Sequence, residues 1–198
     1  MNENPPRWAE RVLSLLVPDR SRDGVLGDLV EEYRESQVAA RGLAGANRWY
    51  VWQVAGFLWR ACAVWGVMLG GLLAARDVMD LTLPTQDYRV RAAVSTYLAF
   101  SIFGTAAIHA GWRSRHALTG VVVCLGAAVI ASIIGFATPA GLSIVMWSEV
   151  QRNPAAAAAL RESFDVPVPA IFAIALVLGS IGGGIGRGAR SVTRISLP

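Results

Sequence analysis

The sequence predicts an all-α protein, a cytoplasmic helical hairpin domain followed by a four-helix transmembrane bundle with both termini cytoplasmic. Three observations carry that expectation. The 198-residue chain is 54% apolar and 16% charged, with a mean hydropathy of +0.45, whereas a water-facing surface needs about 25% charged residues. A polar first quarter gives way to four uncharged stretches, and the arginines between those stretches gather in alternate loops. The expected organisation is a helical unit at 1–48, a four-span domain at 49–190 and a cytoplasmic tail at 191–198.

Asn4-Pro5-Pro6 predicts a helix start, with an Asn cap and proline in a first turn that needs no N–H. Trp8, Val12, Leu15 and Leu16 follow at helical spacing and make one apolar face, with Arg7, Glu10, Arg11 and Ser14 on the other. Pro18 ends this helix, and Pro18 to Gly24 reads as a turn. A second helix, from about Asp23 to Ala40, has Leu26, Leu29, Val30 and Tyr33 on its apolar side. Asp28, Glu31, Glu32 and Glu35 form an acidic stripe opposite, and Arg41-Gly42 ends the helix. Two short amphipathic helices need a third element to bury their faces. The helix from Ala44 onward, with Trp49, Trp52, Gly56 and Trp59 in register, is expected to supply it.

The four spans are expected at about 54–75, 92–112, 117–137 and 167–186. Ala61 to Ala75 alone covers about 22 Å at 1.5 Å per residue, short of a bilayer core of about 30 Å. Adding Val54 to Trp59 completes the span and sets Arg60 near its boundary. The uncharged run Ala117 to Ser148 is too long for one span, so Thr138-Pro139-Ala140-Gly141 is expected to end the third, leaving Leu142 to Trp147 in the outer interface. Asn153-Pro154 predicts a short outer helix over Ala155 to Phe164.

Orientation follows from arginine, which collects in cytoplasmic loops. Arg113 and Arg115 join spans two and three, and Arg187, Arg190 and Arg194 close the chain. In the loop from Arg76 to Arg91, three arginines are offset by Asp77, Asp80 and Asp87, and the loop from Glu149 to Asp165 is net acidic. Both termini inside is the assignment that fits.

The net charge of +4 and pI near 9.7 come from eighteen arginines scattered along the chain, not from a concentrated patch. This spread points to membrane flanks rather than nucleic acid. Cys62 and Cys124 lie in apolar runs and are expected to be free buried thiols. With His109 and His116 as the sole histidines, no metal-site spacing exists, and no cofactor is implied. The run Val12 to Val17 is too short for a signal-peptide core.

Gly184, Gly186 and Ala189 spell G-x-G-x-x-A, but a dinucleotide fingerprint requires a βαβ unit and a later acid, which this context does not provide. Gly179, Ser180, Gly183, Gly184 and Gly188 read instead as a close-packing surface, as do Gly66 with Gly70 and Ala127 with Ala131 and Gly135. Tyr97, Ser101, Thr105 and His109, each four residues apart, put a polar stripe on the second span. Interhelical hydrogen bonds explain it more simply than a conduction path. A serine–histidine dyad of Ser180 with His109 is a remote third reading, and no catalytic residue is assigned. Asp28, Glu31, Glu32 and Glu35 lack the nitrogen or sulfur neighbours of a metal site and read as a solvated face or a docking surface.

Pro6-Arg7-Trp8-Ala9-Glu10-Arg11 with Leu15-Leu16, then Leu26-Gly27-Asp28-Leu29, Glu31-Glu32-Tyr33-Arg34, Trp49-Tyr50 and Trp52-Gln53 together look like one module. Residues 5–60 resemble the N-terminal permease prefix domain of MacB/FtsX-like ABC-transporter permeases, of the kind found in Acidobacteria. Those permeases continue into a large extracytoplasmic domain, whereas this chain continues into four closely spaced spans. The resemblance implies a bacterial accessory or regulatory membrane module, not transport activity. The expected function is therefore a non-enzymatic multi-pass protein of the bacterial cytoplasmic (inner) membrane. Its partners would be the lipid bilayer, a permease component or regulator, and a second copy of itself, with no nucleic acid. The alternative is a small oligomeric transporter or channel using the polar stripe of the second span.

Overall fold

The computed structural model describes residues 4–83, 87–114, 116–152, 154, 157–158, 161 and 168–195, and no strand occurs among them. The elements are α1 (Arg7–Leu16), α2 (Arg22–Glu32), a π-helical turn (Tyr33–Gln37), α3 (Val38–Thr82), α4 (Tyr88–Arg113), α5 (Leu118–Val145), α6 (Trp147–Arg152) and α7 (Val168–Ile195). Four helices are long and apolar enough to cross a membrane: α3, α4, α5 and α7. This fits a multi-pass membrane protein. The helix expected over Ala155 to Phe164 falls mostly outside the described residues.

The N-terminal unit is a small three-helix core. Ala9, Leu13 and Val17 of α1 meet Tyr33 after α2 and Ala46, Tyr50 and Val54 of α3, all buried. The Tyr33 and Tyr50 rings pack edge to face at 6.0 Å, and the Tyr33 hydroxyl donates to Asn47 Oδ1 at 2.6 Å. The apolar face of α2 is as the spacing predicts, with Leu26 and Leu29 packed inward.

Two expected faces are rotated. Trp8 is 58% exposed, and the buried line of α1 runs one position later, through Ala9 and Leu13. On α3 the core line is Ala46, Tyr50, Val54 and Phe57, while Trp52 and Trp59 point outward and Trp49 only flanks the core. Alanine lets the helix axes approach, and indoles suit a boundary where one edge is apolar and the other wet. Asn4 does not cap α1 either. Pro6 is the residue before the first turn, and the Asn4 side chain instead accepts a hydrogen bond from Arg34.

The chain turns at Gly42, whose φ of 65° and ψ of 173° break the helix where Arg41-Gly42 predicts an end. Glycine holds that left-handed backbone without a Cβ clash. From there α3 runs unbroken from the N-terminal unit into the bundle. The helix break expected at Thr138 to Gly141 does not occur: α5 continues through Pro139 to Val145. The Thr138 hydroxyl donates to Ile134 O at 2.9 Å and Ser143 to Pro139 O at 2.6 Å. Pro139 removes one N–H from the ladder, and packing against neighbouring helices lets an apolar helix run through that loss.

In the bundle, α5 packs against α3, α4 and α7, and α4 packs against α3 and α7, so α3 and α7 occupy opposite corners. The shared core is Leu69, Phe103, Val123 and a run of alanines, with Cys62 and Cys124 buried as free thiols. Small residues permit this because, in lipid, association rests on close van der Waals contact. A Cβ on Gly66 would meet Ile130 Cβ at 2.6 Å, and one on Gly70 would meet Ile134 Cδ1 at 2.6 Å. The small face of α7 is Gly179, Gly182, Gly183 and Gly186, lying against α4 and α5, while Gly184 and Gly188 face open space. These glycines close one chain's bundle.

Candidate functional site

Three structures meet at one end of the bundle: the turn after α1, the turn between α4 and α5, and the last turns of α7. Asp19, whose side chain is 8% exposed, pairs with Arg22 of α2 at 2.9 Å and with Arg190 of α7 at 3.0 Å. Arg190 also donates to Arg113 O, at the C-terminus of α4, at 3.1 Å. Ser114 Oγ donates to Thr119 Oγ1 at 2.7 Å, and Thr119 in turn donates to Leu15 O at 3.0 Å. Both Arg113 O and Leu15 O are helix-end carbonyls without an intrahelical donor, so the clamp satisfies groups that folding would otherwise strand. The N-terminal unit is thus fixed to the bundle by side chains of α5 and α7, besides the continuous α3.

Beside the clamp lies a cavity of about 470 Å³. Its walls come from Leu16 and Pro18, from Phe57, Arg60, Val64 and Trp65 of α3, from His109 and Arg113 of α4, and from Thr119 and Val123 of α5. His109 sits 6.1 Å from Trp65, ring centre to ring centre. Among the described residues, none that lines the cavity is acidic.

At the opposite end of the bundle one acid is shared by two arginines. Asp80, 9% exposed, pairs with Arg76 at 3.3 Å and Arg91 at 2.9 Å, and the Arg76 guanidinium lies 5.8 Å over the Tyr88 ring.

Asp28, Glu31, Glu32 and Glu35 are all exposed on the N-terminal unit. Glu31 and Glu35 join Glu10 of α1 around a shallow groove that also includes Leu26, Val30 and Arg34. The contribution of Glu10 was not visible from the α2 pattern. Gln37 Nε2 donates to Glu32 Oε1 at 3.3 Å across five residues, a pairing the wider π-helical turn permits.

The polar stripe faces away from the bundle core. Tyr97 is 70% exposed, and Ser101, Thr105 and His109 are exposed as well. The Ser101 hydroxyl bonds its own helix at Tyr97 O, 2.9 Å away, so its hydrogen bond is internal to α4 rather than interhelical. His109 and Ser180 are not assembled as a dyad: Ser180 is exposed on α7 and donates to Leu176 O at 2.7 Å, while His109 is set against Trp65 of α3.

Sequence spacing did not reveal the Asp19–Arg190 contact or the cavity, because each joins residues from different helices. One signal was present: Arg60 and Arg113 each abut an apolar stretch. No family model, no curated protein and no solved structure matches this chain.

Proposed function

We propose that this is a bacterial inner-membrane protein with both termini inside, acting as a non-enzymatic accessory or regulatory module of a permease system. Its N-terminal unit docks a basic protein partner through Asp28, Glu31, Glu32 and Glu35. The observation carrying this reading is the rigid seating of that unit on the bundle end, with the acidic face left outward. Anionic lipid repels such a face and turns it toward the aqueous side. Like charges three and four residues apart cost a helix a few tenths of a kcal/mol per pair, and a basic partner offsets that cost. The test is the double reversal Glu31→Arg with Glu32→Arg. Insertion and helicity should be unchanged while the co-purifying partner is lost. Retention of every co-purifying protein at low and high salt would refute docking through this face.

The exposed stripe Tyr97, Ser101, Thr105 and His109 favours one second reading, a homo-oligomer in which a second copy covers it, as a small transporter or channel would require. Ser101→Ala and Thr105→Ala should each change stability by no more than about 0.6 kcal/mol in a monomer. Selective loss of solute flux with normal folding would favour the transporter.

A further inference from the structure

We infer that the cavity beside the clamp binds one anionic phospholipid, its phosphate held between Arg60 and Arg113 and an acyl chain laid along Val64 and Trp65. This rests on the membrane reading but not on the docking of a protein partner. Arg60 begins the uncharged run of α3 and Arg113 ends that of α4, so both guanidinium groups stand at one boundary of the apolar layer. That is the level of lipid phosphates. Neither guanidinium has a carboxylate partner among the described residues: Asp19, the acid of the neighbouring clamp, is held by Arg22 and Arg190.

The contrast with the far end is informative. There Asp80 is shared by Arg76 and Arg91, so each guanidinium has a carboxylate partner. Two unpaired arginines from adjacent helices make a phosphate site, since guanidinium forks match phosphate oxygens, and basic pockets between membrane helices take anionic headgroups. His109, one helical turn below Arg113, adds a ring N–H at the same wall. The remaining lining, Phe57, Trp65 and Val123, is apolar, which a free inorganic anion does not need. Val64 lines the cavity and is also 66% exposed, so the cavity communicates with the bundle's outer surface, where lipid is the neighbour. A volume of about 470 Å³ accommodates a headgroup phosphate and the first part of one chain.

The test is native mass spectrometry of the full chain in detergent, with phosphatidylglycerol, phosphatidylcholine or inorganic phosphate added. The wild type should retain one phosphatidylglycerol in preference to phosphatidylcholine, and excess phosphate should not displace it. Arg60→Gln with Arg113→Gln should weaken that preference about thirtyfold, the worth of two cations near an anionic headgroup. Arg187→Gln, an exposed arginine of α7 outside the cavity, should leave it unchanged. Val64→Trp keeps both charges and fills the chain's path, so it should also lose the lipid, which keeps the test decisive if the double variant misfolds. Retention of the preference by a folded double variant or by Val64→Trp would overturn the site. Displacement by phosphate would overturn the lipid as its occupant. The membrane reading fails separately, if the chain is monodisperse without detergent.

Discussion

Asp19 Oδ2 and Arg190 Nη1 lie 3.0 Å apart, joining the turn after the first helix to the last turns of the final one. The pair is largely out of solvent, and Arg190 is also spent on the Arg113 carbonyl. It ties the N-terminal unit to the far end of the chain.

Removing one partner of such a pair leaves the other charge poorly solvated. Asp19→Asn should cost on the order of 3 kcal/mol in seating the N-terminal unit, and Arg190→Ala should cost less, because Arg22 still pairs with Asp19. Limited proteolysis of the turn between α1 and α2 measures this directly. Cleavage there should accelerate in both variants while the bundle fragment stays intact, and an unchanged cleavage rate would refute the clamp.

The glycines of α7 separate into two classes. A Cβ on Gly183 would meet the backbone of α5 around Ala117 and Gly120, and backbone cannot swing aside. Gly183→Ala should therefore cost about 1–3 kcal/mol by overpacking. Gly184 faces open space, so Gly184→Ala should gain about 0.5 kcal/mol from helix propensity alone. Unfolding titrations in mixed detergent should rank the two variants on opposite sides of the wild type.

That division marks how far the sequence was legible. Four apolar helices, the break at Gly42 and the apolar side of α2 follow from length, glycine chemistry and period, which are local properties. Which of two adjacent small residues faces a neighbour is not local: Gly183 and Gly184 are equivalent until helix rotation is fixed. The same holds for Trp8 against Ala9, where size and interfacial chemistry override the hydrophobic period. Pro139 misled because a proline removes one hydrogen bond of the ladder without ending a long apolar helix held by its neighbours. The acidic stripe was read from α2, but the groove beside it needs Glu10 from α1.

Alkaline pH should loosen the N-terminal unit. Tyr50 lies outside the apolar span, and its hydroxyl is buried with no hydrogen-bond partner among the described residues. Burial, and then the nearby Glu10 carboxylate, push its pKa up to about 12. A group harder to ionise when folded stabilises the fold below its ordinary pKa, near 10 for tyrosine, and that stability is lost as pH rises through the folded value. Tyrosinate absorbance and helicity should change together between about pH 10 and 12. Tyr50→Phe should shrink that transition, leaving the part from Tyr33, which burial also raises, and should leave neutral-pH stability equal or higher, because no hydrogen bond is broken. An identical alkaline transition in Tyr50→Phe would exclude Tyr50 as its source.

We propose a four-span protein whose N-terminal unit, α4–α5 turn and C-terminus share one side of the membrane, the cytoplasmic one. Reporter fusions that distinguish cytoplasm from periplasm, placed after Arg113, at the C-terminus, at Asp80 and at Asn153, test it most directly. The first two should read cytoplasmic and the last two external. A C-terminal fusion on the opposite side from the Arg113 fusion would contradict the account.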